Sequence, residues 1–229
     1  MNQKRQQQHE EVMRNFTTPR DTDNNPLLHD LWEPWARKVG YSNHGLCELF
    51  NYIDCGNTYF DSLRDAFATR VQAIDQFSWA IPCAEALATI AEASGGRVVE
   101  VGSGSGYWAR LLQAKGVDVV AVDDGNEYEG SRFGQFFPET VRAKGEAWLQ
   151  AHDGCVDRAL FMCWPRQTEG DKVLAAFKGD TLIWVGETDG ATWSPVDPEW
   201  ECVKMMAIPN WPGIHDNLGV FKRKGGKSG

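Results

Sequence analysis

Apolar and polar positions follow a regular rhythm in residues 78–224, where short apolar runs are separated by amphipathic stretches. The amphipathic stretches, such as 82–96 and 107–116, have helical spacing and end at glycines. The apolar runs are typical of strands buried on both faces. They span residues 97–101, 117–124, 159–165 and 181–187, with two further strand candidates at 202–208 and 219–222. Strands that alternate with helices predict an α/β fold with a doubly wound, mainly parallel, Rossmann-like sheet.

The chain before residue 78 has a different pattern. In residues 26–77, apolar side chains recur at mixed helical spacing, as in Leu28, Leu31, Trp32 and Trp35. This spacing predicts two or three helices, which we expect to form an N-terminal helical cap or lid. Polar segments flank the predicted domain, and we expect a disordered arm at residues 1–25 and a flexible tail at residues 225–229.

Composition narrows the classes of partner. The chain has 229 residues, enough for one domain of ordinary size, and carries 23 Lys plus Arg against 32 Asp plus Glu, a net charge of -9. A negative field repels polyanions, so nucleic acid and anionic membranes are predicted to be unlikely partners. No run approaches the ~20 apolar residues of a membrane span. The first residues lack the apolar core of a secretory signal, and we therefore expect a cytoplasmic protein of undetermined oligomeric state.

Two residue types stand out in the composition. The six cysteines show no Cys-x-x-Cys spacing and several lie in apolar runs, which predicts buried thiols in a reducing compartment and no metal site. Ten tryptophans are several times the usual share. Composition alone does not say whether they fill the core or line a site.

A glycine-rich loop lies where a cofactor loop belongs, between a predicted strand and a predicted helix. The segment 98–112 reads VVEVGSGSGYWARLL, with glycines spaced as G-x-G-x-G. A dinucleotide fingerprint, G-x-G-x-x-G, would need glycine where Tyr107 stands. Glu100 precedes the first glycine by two residues. A carboxylate there would oppose a pyrophosphate but suits a cofactor with a cationic amino-acid end. A nicotinamide dinucleotide remains the weaker alternative.

This loop resembles the first motif of class I S-adenosylmethionine (SAM) dependent methyltransferases, E/D-x-G-x-G-x-G, and the resemblance extends over residues 78–187. The segments FSWAIP (77–82) and GYWA are also similar to an uncharacterised group of methyltransferase-like proteins. The resemblance implies a SAM-binding domain over residues 78–224 and methyl transfer as its activity. It places Glu100 at the methionyl amino end of SAM, and it places loop backbone against the cofactor at Gly102, Ser103, Gly104 and Gly106.

The resemblance also implies roles for three acids. Asp123 closes VVAVD, 21 residues after Gly102, and matches the family's acid that binds both ribose hydroxyls. Asp124 would contact the adenine side. Glu146, in Gly-Glu-Ala, matches an acid that accepts from the adenine amino group, with Glu in place of Asp. Two plainer interpretations stay open: Asp123 as a solvated strand-end acid or helix cap, and Glu146 on an exposed helix face.

The loop after the fourth strand would lie beside the methyl group. Cys163 and Trp164 fall there, and the resemblance implies that both contact the cofactor. An indole face attracts a cation by ~0.5 to 2 kcal/mol, which suits a sulfonium, although Trp164 and Trp79 could equally be core residues. Candidates for catalytic or acceptor-orienting residues are Trp164, Glu187, Tyr107 and His152.

The sequence constrains the methyl acceptor only by disfavouring some acceptor classes relative to others. Cys163-Trp164-Pro165-Arg166 differs from the N/D-P-P-Y/F sequence used on exocyclic base amines. With the negative charge, this difference favours a small molecule or a protein side chain as acceptor. Two alternatives remain: a binding or structural protein that keeps the fold without turnover, and an NAD-dependent oxidoreductase.

The predicted arrangement of strands shows where many of the tryptophans should lie. Five tryptophans fall at or beside segments that should meet at the carboxyl edge of the sheet, which predicts an aromatic-walled pocket for a flat or apolar acceptor. These are Trp79, Trp108, Trp164, Trp184 and Trp193. Trp32 and Trp35 are expected in the cap.

Overall fold

The structure is a computed structural model, which describes residues 24–39, 58–126, 133–188, 190, 192–195 and 197–225. The predicted arm lies outside these residues except for Asn24 and Asn25, and the predicted tail lies outside them except for Gly225. Residues 40–57 of the predicted cap are also outside the described ranges.

The described strands form one mixed sheet. Its order is β3-β2-β1-β4-β5-β7-β6, in which β1 to β5 pair in parallel and β7 runs antiparallel to both β5 and β6. The strands are β1 (Arg97–Val101), β2 (Asp118–Asp123), β3 (Val141–Arg142), β4 (Ala159–Cys163), β5 (Thr181–Gly186), β6 (Trp200–Ala207) and β7 (Asn217–Arg223). The strand order reverses between β1 and β4, the place where open α/β sheets bind ligands. The predicted Rossmann-like α/β fold is confirmed.

Helices cover both faces of this sheet. A π-helical segment, Leu27–Trp32, continues into α1 (Glu33–Val39) and is followed by α2 (Thr58–Gln76), α3 (Ala84–Ala93), α4 (Tyr107–Ala114), α5 (Gly145–Ala151) and α6 (Gly170–Ala176). Pro82 directly precedes Cys83, the N-cap of α3. None of the helices in the described ranges is long and apolar enough to cross a membrane.

Strand alternation divides the core into two layers. Val98, Phe161 and Ile183 point to the layer that contains α3 and α4, whereas Leu160 and Trp184 point to the layer that contains α5 and α6. All of these side chains are buried. The direction of each strand side chain therefore decides which layer it stabilises and whether it can approach the cleft described below.

The N-terminal helical segment is an integral part of the first layer. Leu27, Leu28, Trp32 and Trp35 are buried in the same cluster as Trp211. The Trp32 indole N–H donates to the carbonyl of Asn210 at 2.9 Å. Part of the predicted cap thus packs as a fixed layer on the sheet, and its tryptophans are core residues.

Candidate active site

An open cleft of about 840 Å³, counted with its mouth, lies at the carboxyl ends of β1, β2 and β4. Its walls come from the glycine loop after β1, the acids that end β2, and the loop after β4. The segment that precedes α3 closes a fourth side through Phe77, Ser78 and Trp79. This is the edge of the sheet at which the sequence places the site.

The glycine loop is shaped by backbone hydrogen bonds and left-handed backbone angles. The Gly102 N–H donates to the Val122 carbonyl at 2.8 Å. Gly102 has φ +77° and faces open space, so a side chain there would project into the cleft. Gly106 has φ +74°, but a Cβ there would lie 2.6 Å from Cβ of Phe137. Gly102, Ser103 and Gly104 line the cleft, whereas the predicted cofactor contact Gly106 packs against Phe137 outside the lining.

Asp123 links the glycine loop to the turn after β2 by hydrogen bonds. Its Oδ2 accepts from the Gly104 N–H at 2.8 Å, and its Oδ1 accepts from the Gly125 N–H at 2.7 Å. Asp123 and Asp124 both line the cleft. A carboxylate has about four lone-pair positions and can accept more than one hydrogen bond at each oxygen. Asp123 therefore binds two loop N–H groups at the end of β2 and caps none of the described helices, and its ribose role stays a prediction.

The floor of the cleft contains three buried polar atoms that have no hydrogen-bond partner within the described part of the chain. They are Glu100 Oε2, Ser103 Oγ and Trp108 Nε1. Each such atom costs ~1 to 3 kcal/mol when it is left unsatisfied. A ligand that supplies the complementary donors and acceptors would recover part of this cost.

Glu100 is the most perturbed of these groups. Burial, and after it the nearby charge of Asp123, raise the pKa of its carboxyl to about 8, against the opposing effect of the Ala109 backbone N–H. Its side chain is almost fully buried. The carboxyl therefore holds a proton at neutral pH unless a positive charge binds beside it.

An aromatic wall forms the other end of the cleft. The Trp164 and Trp79 rings stack with centroids 5.1 Å apart and 15° between their planes. The Trp164 indole N–H donates to Oδ1 of Asp216 at 2.8 Å. The Arg70 guanidinium lies 5.8 and 5.7 Å from the centroids of Trp79 and Trp164. Cys163 adjoins this wall, and burial, followed by the charges of Asp216 and Glu100, raises the pKa of its thiol well above the usual range.

Tyr107 does not reach the cleft, although the sequence names it as a catalytic candidate. Its hydroxyl donates to Asn25 Oδ1 at 2.8 Å and accepts from the Leu27 N–H at 3.2 Å. The ring is fully buried. The first residue of α4 points into the core because the left-handed Gly106 directly before it turns the chain. Tyr107 thus anchors the N-terminal segment and is not placed to act on a substrate in the cleft.

Three other sequence candidates lie outside the cleft lining. Glu187 is buried behind the aromatic wall, where its Oε1 accepts from the His215 backbone N–H at 3.0 Å. Glu146 lies in the first turn of α5 and is half-buried. The exposed His152 stacks on Trp148 at 3.9 Å between ring centroids. None of the three is among the residues that line the cleft.

The tryptophan prediction holds for three of its five members. Trp79, Trp108 and Trp164 line the cleft. Trp184 and Trp193 pack in the other layer, where the Trp184 indole N–H donates to the Trp193 carbonyl at 2.7 Å. The prediction is wrong for Trp184 because β5 is buried on both faces, so its apolar pattern does not show which face a side chain takes. It is wrong for Trp193 because the segment after β5 packs on α6, where the Trp193 indole N–H donates to Asp171 Oδ1 at 2.7 Å.

Sequence reasoning missed Arg70 and Asp216, which complete the aromatic wall. Asp216 is 52 residues away from Trp164 and follows no motif, so no local pattern pairs them. Arg70 lies in α2, and its guanidinium comes near Trp79 and Trp164 only through the packing of that helix, which no local pattern shows. Because Arg and Asp side chains are usually exposed, their residue types give no reason to expect them beside this wall.

A comparison with known protein families agrees with this site. A family model described as a methyltransferase domain matches residues 79–171. No curated protein sequence matches the chain significantly. Among similar solved structures, TrmN from Thermus thermophilus is 15% identical with a TM-score of 0.43, and the match covers 61% of this chain and 47% of TrmN. The chain therefore spans about half the length of TrmN.

Two further similar structures have RNA in their descriptions. An rRNA methylase from Streptococcus thermophilus is 17% identical with a TM-score of 0.42, and the match covers 61% of this chain and 94% of the methylase. Sp1610 from Streptococcus pneumoniae, a proposed tRNA (m1A22) methyltransferase, is 15% identical with a TM-score of 0.35, over 58% of this chain and 65% of Sp1610.

The prediction that nucleic acid is an unlikely partner is wrong, because solved structures similar to this chain include methylases of RNA. The physical error lies in the use of net charge. The value of -9 is a sum over the whole chain. Binding depends on the local field at a site, which the sum does not describe.

Proposed function

This chain contains a class I methyltransferase domain, whose family model spans residues 79–171, and from that premise we propose that the cleft binds SAM and directs its methyl group to an acceptor held at the Trp79–Trp164 wall. The observation that carries the proposal is the buried, unpartnered carboxylate oxygen of Glu100 beside the glycine loop. When bound, SAM would supply a methyl group on a positively charged sulfur.

Glu100 fits the amino-acid end of SAM by charge. An ammonium group that donates to Oε2 would satisfy the unpartnered atom and favour the ionised carboxylate. Because the pKa of Glu100 is about 8 before binding, the ligand must displace a proton at neutral pH. The Ser103 hydroxyl and the Trp108 indole N–H, both unpartnered in the described chain, add hydrogen-bonding capacity on the same floor.

The acids at the end of β2 suit the nucleoside. We propose that Asp123 accepts from the ribose hydroxyls while it keeps the loop in place through the Gly104 and Gly125 N–H groups. Asp124, which also lines the cleft, is proposed to face the adenine. The cleft reaches open space at Gly102, where the absence of a Cβ lets a ligand approach the backbone.

The chain's own part in methyl transfer is mainly positioning. An in-line displacement from a sulfonium needs no proton on the leaving group, so holding the acceptor at attack distance in a dry pocket supplies most of the acceleration. The indoles of Trp79 and Trp164 offer a flat apolar wall for this purpose. We therefore propose an acceptor that presents a flat or apolar group, carried by a small molecule, a protein side chain or a nucleobase.

Two measurements test this function. Native mass spectrometry of the purified chain, followed by addition of SAM and S-adenosylhomocysteine, should show one bound nucleoside. Incubation with methyl-labelled SAM and separate metabolite, protein and RNA fractions should then label one fraction. Binding without transfer to any fraction would favour the silent binding protein, while NADH binding without SAM binding would favour the oxidoreductase.

A further inference from the structure

We propose that Asp216 is a positioning residue, whose carboxylate holds the Trp164 indole in place as the wall against which the acceptor binds. The proposal rests on the proposed function only in naming this end of the cleft the acceptor end. The contact itself is a property of the chain and can be tested without any substrate.

Trp164 has a backbone that needs to be held. Its φ is +54°, in the left-handed region that a bulky side chain rarely adopts. Its backbone N–H donates to the Val185 carbonyl at 2.8 Å, which continues the β4–β5 ladder by one residue. Unusual backbone angles of this kind persist where surrounding contacts fix them, and they concentrate at functional sites.

The side chain of Trp164 has one polar anchor. An indole N–H is a donor only, and here it donates to Oδ1 of Asp216 at 2.8 Å. That bond fixes the rotation of the ring, and the ring then stacks on Trp79 with 15° between the planes. Parallel, offset rings are a favourable arrangement for aromatic pairs. The orientation of the wall thus depends on a residue that does not line the cleft.

Asp216 is itself held from two sides. It lies in the loop between β6 and β7, where its N–H donates to Asn210 Oδ1 at 2.8 Å and its carbonyl accepts from Asn210 Nδ2 at 3.2 Å. The Asn210 carbonyl in turn accepts from the Trp32 indole N–H. A chain of contacts therefore runs from the N-terminal helical segment through this loop to the aromatic wall.

The charges around Asp216 make its protonation a useful probe. Burial, aided by the Glu187 charge, raises the pKa of Asp216 to about 7, against the opposing effects of the Trp164 hydrogen bond and the Arg70 charge. The neighbouring Cys163 thiol stays neutral because burial raises its pKa. As the pH falls through about 7, the group that accepts the Trp164 hydrogen bond should therefore change from a charged carboxylate to a neutral carboxyl.

Circular dichroism of the stacked indoles reports this geometry directly. Trp35 and Trp211 form a second close pair at 5.3 Å, so a Trp79→Phe variant is needed to define the exciton signal that belongs to Trp79 and Trp164. We expect Asp216→Leu to lose most of that signal. Asp216→Asn keeps a neutral acceptor oxygen, as the protonated carboxyl does, and should give the signal that the wild type shows below pH 7. The wild-type signal should change with a midpoint near pH 7, whereas the Asp216→Asn signal should not titrate.

Two outcomes would overturn the proposal. One is an unchanged indole signal in folded Asp216→Leu, and the other is an Asp216→Asn signal that titrates as the wild type does. If Asp216→Leu does not fold, the pH titration of Asp216→Asn decides whether Asp216 positions Trp164. A parallel titration with S-adenosylhomocysteine keeps the two proposals apart: absence of binding contradicts the SAM cleft, while the indole arms still decide the role of Asp216.

Discussion

The two ends of the cleft are built in different ways. At the cofactor end, the loop after β1 is held by its backbone N–H groups, among them that of Gly104, which donates to the Asp123 carboxylate; the Gly125 N–H, in the turn after β2, donates to the other oxygen of that carboxylate. At the acceptor end, Trp164 is held by side chains from α2, from the segment before α3 and from the β6–β7 loop. The first end is determined by residues close to one another in the motif, and the second depends on the tertiary packing of distant segments.

This difference predicts that cofactor binding and the aromatic wall can be altered independently. Changes in the glycine loop or in Glu100 should alter cofactor binding. Changes in Arg70 or Asp216 should alter the aromatic wall and leave cofactor binding nearly intact.

Gly106→Ala should be the most destabilising change at the cofactor end. The new Cβ would lie 2.6 Å from Cβ of Phe137, at a backbone φ of +74°. Left-handed strain and overpacking together should lower the free energy of unfolding by about 2 to 4 kcal/mol. Gly102→Ala is the matched control, since its φ is similar but its Cβ meets no atom within 4 Å.

Chemical denaturation measures both glycine variants. Gly102→Ala should lose only about 1 kcal/mol, but it should weaken nucleoside binding because its methyl group projects into the cleft. Equal loss of stability in the two variants would mean that Phe137 yields to the added methyl, and the packing explanation for Gly106 would then fail.

The free energy of unfolding should fall as pH rises from about 6 to 8. The folded pKa of Glu100 is about 8 and that of Asp216 about 7, both above their ordinary values of 4.5 and 3.8. The folded state therefore binds more protons than the unfolded state in this range, and deprotonation costs stability. The two groups together should contribute about 2 to 4 kcal/mol.

Urea unfolding at the two pH values measures this fall. Glu100→Gln should remove the larger part of it and Asp216→Asn the smaller part, because each replaces one titrating carboxyl. Stability that is flat or rises over this pH range in the wild type would show that neither carboxyl is buried as described.

Glu100→Gln should lower affinity for S-adenosylhomocysteine by about tenfold or more, the expected effect of losing a charged hydrogen-bond partner. Stability at pH 8 should not fall, because the change removes a buried charge. Glu169→Gln is the matched control: Glu169 also lines the cleft, but its side chain is 48% exposed. Calorimetric titrations compare the three proteins, and equal affinities would remove Glu100 from the amino-acid end.

Arg70→Gln should have the smallest effect. It removes a cation near two indoles, a contribution of ~0.5 to 1 kcal/mol at a partly exposed site. S-adenosylhomocysteine affinity should change less than about twofold. A large loss of affinity, measured in the same titrations, would show that the two ends of the cleft are coupled and would contradict their separation.

The parts of the fold that the sequence predicts are those with strong local signals. β1, the glycine loop and β2 follow from one apolar run, three glycines and a second apolar run. β3 has only two residues, both exposed, and therefore has no periodic pattern. β6 is largely exposed, and the antiparallel direction of β7 depends on pairing across the sheet, which no local pattern contains.

The site divides in the same way. Glu100, Gly102, Ser103, Gly104, Asp123 and Asp124 line the cleft where the motif places them. Tyr107 and Trp184 do not, because the side a residue faces depends on how an element packs after the chain turns. Asp216 reaches Trp164 only after the β6–β7 loop folds back onto the sheet, so its role could be found only in the structure.

The proposed binding of SAM through the buried carboxyl of Glu100 can be tested by calorimetric titration with S-adenosylhomocysteine near neutral pH, repeated in two buffers with different ionisation enthalpies. We expect saturable binding to one site with release of about one proton, since Glu100 must ionise to pair with the ammonium group. No binding at millimolar ligand, or binding without proton release, would contradict it.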